Sequence, residues 1–432
     1  MLIRQGIVVT HRATARLDIR VRGETITEIA PEIAPEQDEE VVEASERLVL
    51  PGFIDSHVHF RDPGAPQKED FFTGTLAALA GGVTTVLDMP NTQPPTDSRA
   101  HLVQKAAHVA TKAVVDYGFY FGATDTNIEE AASVAGEVAA MKLYMGSSTG
   151  TLLVTEFSPI YRHFTTFPLD KPIAVHAEDE QSLKYFGGMG LQDHNQARPP
   201  LSAQIALSRA IAIAEKTGRR LHVAHTTTWR ELELIQEARS KGVRVTCEVT
   251  PLHLFMTEED QHRLRNFGKV NPPLRSRDDR EALWRYFDDI DTIGTDHAPH
   301  TREEKDQPYS QAPSGMPGVQ TMLPLLLNAA SSGRVKLEEV VKRCVTNPIQ
   351  IFGLKDKGTL EIGKDADIVL IDPNHEYVLA DDQMLSKCGW TPFAGTKIKG
   401  QIQQVYLRGN LAYNQGNCLS TAGSGKAIRY SK

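Results

Sequence analysis

Cysteine is scarce in this 432-residue chain: Cys247, Cys344, Cys388 and Cys418 are widely scattered, with no CxxC pair and no framework spacing. That excludes a disulfide scaffold and fits reduced thiols in a cytosolic protein. Positive charge is in deficit, since 47 Lys and Arg against 55 Asp and Glu leave a net charge of −8. With no basic run to offset it, nucleic acid and anionic membrane surfaces are excluded as partners. No apolar run approaches membrane-spanning length, and the opening residues Met1-Leu2-Ile3-Arg4-Gln5-Gly6 contain no signal-peptide h-region. The expectation is a cytoplasmic protein. What is present, 40% hydrophobic and 24% charged residues, is ordinary for an enzyme with a substantial core. The length predicts a large domain plus a smaller one.

Two rhythms divide the chain. Residues 1–50 alternate in strand fashion, as in Leu17-Asp18-Ile19-Arg20-Val21, and the same texture returns over 355–432, as in Ala366-Asp367-Ile368-Val369-Leu370-Ile371. Both ends together predict one small β-sandwich domain, with a poorly ordered or partner-docked tail from Ser420 to Lys432. Over 51–354, short apolar strands alternate with stretches of helical period, such as Ala203–Lys216 and Thr228–Lys241. Eight strands are predicted, at Leu50–His59, Val83–Met89, Asp116–Phe121, Ala140–Met145, Ile173–His176, Leu221–His225, Val243–Val249 and Thr292–Asp296. Eight βα units predict an α/β fold, a (β/α)8 TIM barrel whose chemistry sits at the C-terminal ends of the strands. An open doubly wound sheet lacks support, because no glycine-rich phosphate loop follows the first strand.

The strand ends carry the chemistry. In Asp55-Ser56-His57-Val58-His59-Phe60-Arg61, strand alternation points His57 and His59 to one face, a pincer for a metal, and continues that face to Arg61. His176 ends strand five, His225 strand six and Asp296 strand eight. One strand-end histidine is unremarkable; four histidines and an aspartate at one barrel mouth predict a metal centre. Lys142, on strand four, is the odd member, because an ammonium beside divalent ions is repelled. A buried lysine of lowered pKa can instead react with carbon dioxide, and the resulting carbamate is an anionic ligand able to bridge two metals.

The stretch 55–61, and Gly294-Thr295-Asp296-His297-Ala298-Pro299-His300 followed by Lys305, resemble the two signature motifs of the dihydroorotase family, in the cyclic amidohydrolase superfamily. Asp88-Met89-Pro90-Asn91-Thr92 and Val270-Asn271-Pro272-Pro273-Leu274-Arg275 are similar to further family segments. The resemblance implies that His57, His59 and Asp296 bind one zinc ion, that His176 and His225 bind a second, and that carboxylated Lys142 bridges them. Where family members often carry paired histidines after strand seven, this chain has only His253, which is assigned no catalytic role.

The resemblance further implies reversible cyclisation of N-carbamoyl-L-aspartate to (S)-dihydroorotate, a step of pyrimidine synthesis, by a metal-bridging hydroxide with Asp296 as general acid and base. A ring carrying a carboxylate calls for a guanidinium and supporting donors, which assigns Arg61, Asn91 and His300 to substrate binding. Asn271, Ser314 and Gly315 are expected at the ring, and Gly146-Ser147-Ser148-Thr149-Gly150 has the polarity of a mobile lid. The rival readings are an allantoinase or dihydropyrimidinase-like enzyme, and a non-catalytic scaffold for aspartate transcarbamoylase. The expected partners are the small-molecule substrate, a second copy in a homodimer or homo-oligomer, and aspartate transcarbamoylase.

Overall fold

The computed structural model describes residues 1–190 and 193–431. Eight parallel strands, Phe53–Val58, Val83–Asp88, Asp116–Gly122, Ala140–Tyr144, Ile173–His176, Leu221–Val223, Val245–Val249 and Thr292–Ile293, pair in sequence order. The ring closes at a bridge between Val58 and His297, where the His59 N–H donates to the His297 carbonyl at 2.8 Å. All the residues of the first five strands are buried, as expected for parallel strands covered on both faces. The helices behind them follow their sequence signals. Trp229–Ser240 opens on a capping box between Thr228 and Glu231, and Pro200–Thr217 begins with proline and stops at Gly218, where φ is +66°.

Strands from both ends of the chain form a second sheet of nine strands, eight of them hydrogen-bonded along one mostly antiparallel path, with Val41–Glu43 pairing parallel with Leu2–Val9 off that path. Its two halves meet where Leu48–Pro51 pairs antiparallel with Ile368–Val378. That strand ends one residue short of Gly52, and Phe53 opens the barrel. A separate apolar cluster, including Ile3, Val8, Ile19, Val49, Ile368 and Leu370, is the core of this sheet.

A buried ionic knot joins sheet and barrel. Lys357 Nζ contacts Asp116, at the start of the third barrel strand, and lies 3.0 Å from Asp365 and 2.7 Å from Asp367. Arg408 also pairs with Asp116. Three clustered carboxylates could suggest a cation site, but two basic side chains already neutralise them.

The C-terminal tail differs from expectation. It docks on the chain's own barrel: the Tyr117 N–H donates to the Lys426 carbonyl, the Ile428 N–H to the Tyr117 carbonyl and the Ser431 N–H to the Gly353 carbonyl. The Tyr430 hydroxyl fills the space beside Gly118, where a Cβ would lie 2.4 Å from it. Those backbone pairings are long-range, which is why a polar, glycine-containing sequence gave no sign of them; Lys432 lies outside the described residues.

Candidate metal and active site at the barrel mouth

The first, sixth and eighth barrel strands end earlier than predicted, and the difference shapes the site. The first strand stops at Val58, the sixth at Val223 and the eighth at Ile293, so His59, Arg61, His225 and Asp296 all lie past the ladder. Arg61, His225 and Asp296 take left-handed backbone with φ of 60°, 36° and 50°. Such conformations cost non-glycine residues about 1–3 kcal/mol and persist where surrounding structure enforces them. Arg61 therefore reaches the site by a left-handed turn, not by strand alternation.

The side chains converge. Ligating atoms of His57, His59 and Asp296 lie within 4.8 Å of one another. Asp296 Oδ1 is 3.2 Å from His57 Nε2 and 2.9 Å from His59 Nε2. The far ring nitrogens are held: His57 Nδ1 faces Glu248 Oε1 at 2.6 Å and His59 Nδ1 faces Asn91 Oδ1 at 2.6 Å. Those acceptors take the Nδ1 protons and leave both Nε2 lone pairs turned inward, the arrangement that prepares imidazole for a metal. Opposite, His176 Nδ1 lies 2.9 Å from His225 Nε2, while His176 Nε2 is held by Glu178 Oε2 at 2.9 Å. The His57 and His225 rings, 5.5 Å apart, join the two groups.

Burial sets the charge states. It pushes the His59 pKa down to about 4 and those of His176 and His225 below the usual range, so these rings are neutral at physiological pH. Asp296 moves the other way: burial is outweighed by its close contacts with His57 and His59, which favour the ionised carboxylate. Lys142 is fully buried and its Nζ has no hydrogen-bond partner among the described residues. Burial lowers its pKa to about 8, against the opposing pull of Glu248 and Asp296. A buried, unpaired amine facing two neutral histidines and two carboxylates fits the chemistry of a bridging carbamate, and the donor set as a whole fits divalent cations.

Beside this cluster is a basic wall. Arg61 is 6% exposed, its Nη2 lies 3.3 Å from His300 Nε2, and its Nε is unpaired among the described residues. His300 Nε2 also faces the Ser314 carbonyl at 3.1 Å. Gly315 packs so tightly that a Cβ would lie 2.5 Å from the Ala298 carbonyl and 3.1 Å from His300 Cδ2. Asn91 is committed to His59 through Oδ1 and to the Thr149 carbonyl through Nδ2 at 2.8 Å. Asn271 is joined to His194, whose Nε2 lies 2.9 Å from Asn271 Oδ1. The 146–150 segment crosses the mouth: Ser147 donates to Glu180, and Thr149 Oγ1 donates to the Ser314 carbonyl at 3.4 Å. His253 lies between Thr250 and the Pro272 carbonyl.

Sequence reasoning missed Glu248, Glu178 and Arg198. Glu248 had a signal, a buried carboxylate in a parallel barrel strand. Arg198, which grips Glu178 and the Ser147 carbonyl, had none, because it comes from a loop 20 residues beyond its partner.

Fold and site together define a class, the barrel hydrolases that work at a histidine and carboxylate cluster on the C-terminal face. Residues 48–412 match the Amidohydrolase family. A dihydroorotase of Halobacterium salinarum is 38% identical over 405 residues, 91% of this chain and 92% of that protein. The multifunctional protein CAD of Squalus acanthias is 38% identical over 390 residues, 89% of this chain but 16% of that much longer protein. Among solved structures, the L-hydantoinase (dihydropyrimidinase) of Arthrobacter aurescens superposes with a TM-score of 0.94 over 99% of both chains at 28% identity. The chain belongs to the amidohydrolase family, in its dihydroorotase branch.

Proposed function

We propose that this enzyme interconverts N-carbamoyl-L-aspartate and (S)-dihydroorotate, with two zinc ions held by His57, His59, Asp296, His176, His225 and a carboxylated Lys142. The observation that carries the substrate choice is Arg61, a buried guanidinium with an unpaired Nε beside the His57–His59–Asp296 cluster. Arginine offers a planar fork to a carboxylate, and in a water-poor pocket that contact is charge-assisted and orienting. His300, neutral because burial pushes its pKa to about 3, donates from Nε2 and shares this wall. Ser314 and Gly315 shape the floor, and Asn91 keeps His59 aligned while closing against Thr149. Asn271 completes the ring contacts.

The metals, when bound, would polarise the ring carbonyl and supply a nucleophile at neutral pH. Asp296 is the base of this reading. It is ionised and buried, with Oδ1 3.2 Å from His57 Nε2 and 2.9 Å from His59 Nε2, so it can take a proton at Oδ and return it to the leaving amide nitrogen. The 146–150 segment excludes water once substrate is seated.

The high similarity to a dihydropyrimidinase structure supports one competing substrate, a ring without a carboxylate. Turnover of dihydroorotate, dihydrouracil and allantoin, measured side by side on the metal-loaded protein, tests the choice. Preference for dihydroorotate is expected; faster turnover of either other ring overturns it. A cytoplasmic location and a homodimer belong to the same proposal, as does association with aspartate transcarbamoylase, which the match to a segment of a multifunctional chain supports. No helix among the described residues is long and apolar enough to cross a membrane.

A further inference from the structure

Lys305 is a buried amine whose pKa burial lowers to about 7. It is 0% exposed, and no Asp or Glu among the described residues pairs with it. Its Nζ donates instead to three carbonyls, those of Lys269 at 3.2 Å, Pro313 at 3.0 Å and Gly315 at 3.0 Å. An ammonium has three N–H groups, so its donor capacity is used up on backbone. Burying such a polar group is costly, and a merely structural plug could be apolar at lower cost.

The carbonyls lie on two different loops. Lys269 belongs to the loop that continues to Asn271, and Pro313 and Gly315 flank Ser314. The Gly315 N–H also donates to the Lys269 carbonyl at 2.9 Å. Lys305 therefore ties together both loops that carry the proposed ring contacts, on either side of Ser314, the partner of His300.

A second support comes from the other sheet. Between its strands Ile368–Val378 and Lys397–Leu407 the chain makes an excursion to the barrel mouth. There Trp390, 2% exposed, donates from Nε1 to the His300 carbonyl at 2.9 Å, and its ring lies 6.0 Å from Lys305 Nζ. Ser386 and the Lys387 N–H anchor the excursion to Glu69. His300 is thus held on its side-chain face by Ser314 and on its backbone by Trp390.

We propose that Lys305 and Trp390 are positioning residues for the substrate-carboxylate pocket: Lys305 fixes the loop on one side of His300, and Trp390 brings the small sheet to bear on the other. This rests on the dihydroorotase reading. Neither residue touches the metal ligands, so their loss is felt in recognition of the carboxylate and not in the metal centre.

The test is Lys305→Met and Trp390→Phe in the full-length, metal-loaded protein, with metal content, kcat and KM for dihydroorotate, and the residual rate on dihydrouracil. The expected result for Lys305→Met is a rise in KM for dihydroorotate of at least 10-fold, kcat within about 3-fold, unchanged metal content and an unchanged dihydrouracil rate. Trp390→Phe keeps an aromatic side chain but deletes the indole N–H together with its five-membered ring; KM should rise about 3- to 10-fold, and this variant decides the matter if Lys305→Met does not fold. Loss of metal, an equal loss on both rings, or an unchanged KM overturns the inference. A parent enzyme that prefers dihydrouracil overturns the functional reading instead, so the two failures are distinguishable.

Discussion

His57 is fixed between two buried carboxylates, its Nδ1 2.6 Å from Glu248 Oε1 and its Nε2 3.2 Å from Asp296 Oδ1. Glu248 also accepts from Ser56 Oγ at 3.0 Å, so its position is set independently of the histidine it orients. Its charge is maintained because His57 outweighs the penalty of burial. Removing it as Glu248→Ala frees the ring to rotate and to change tautomer. Metal affinity should fall about 10- to 100-fold, the usual weight of a group behind a ligating histidine. A metal titration followed by elemental analysis reads this directly; unchanged affinity would mean that His57 needs no orienting partner.

Lys142→Ala should lose metal and activity together, with partial rescue by a short carboxylic acid that replaces the carbamate. Intact mass of the native enzyme, recorded gently in bicarbonate, should show added carbon dioxide. The motive is an amine that is buried, unpaired and lowered to about pH 8 in pKa by burial. Full metal content and rate in the variant would assign the bridge to another group.

Asp296→Asn should retain metal better than it retains turnover. The amide oxygen can still ligate, but it cannot accept a proton, so kcat should drop by about 10²- to 10⁴-fold. A kcat near that of the parent would move the base elsewhere.

Arg61→Gln should cost roughly 2–4 kcal/mol in kcat/KM for dihydroorotate, the scale of truncating one partner of a buried charge pair. Arg61→Lys should also be harmful, because an ammonium cannot reproduce the planar fork. Indifference of dihydroorotate turnover to Arg61→Gln would sink the carboxylate assignment while leaving the metal cluster intact.

Lys357→Met tests the fold rather than the chemistry. It leaves Asp116, Asp365 and Asp367 together with Arg408 as the main counter-charge. Breaking a buried ion pair from one side costs about 3–5 kcal/mol, and denaturant unfolding should report a loss of that size. Less than about 1 kcal/mol would show that sheet and barrel are held by apolar packing alone.

How much of this was legible in the sequence can be argued residue by residue. Apolar periodicity located the eight barrel strands, because parallel strands buried on both faces must be apolar along most of their length. The candidate metal-ligand residue types, and their place near strand ends, were likewise visible in the chain. Three things were decided only by the tertiary structure. The turns at Arg61, His225 and Asp296 depend on left-handed backbone that local propensity disfavours and only the surrounding packing enforces. The partners that orient the site, Glu248 for His57 and Arg198 for Glu178, are made by contacts between distant segments, and sequence spacing carries no record of those distances. The tail that docks Tyr430 beside Gly118, and the excursion that brings Trp390 to His300, are also long-range contacts. The sequence determined which chemical groups the barrel has; the closing of the ring and the packing of its loops determined which way each of them faces.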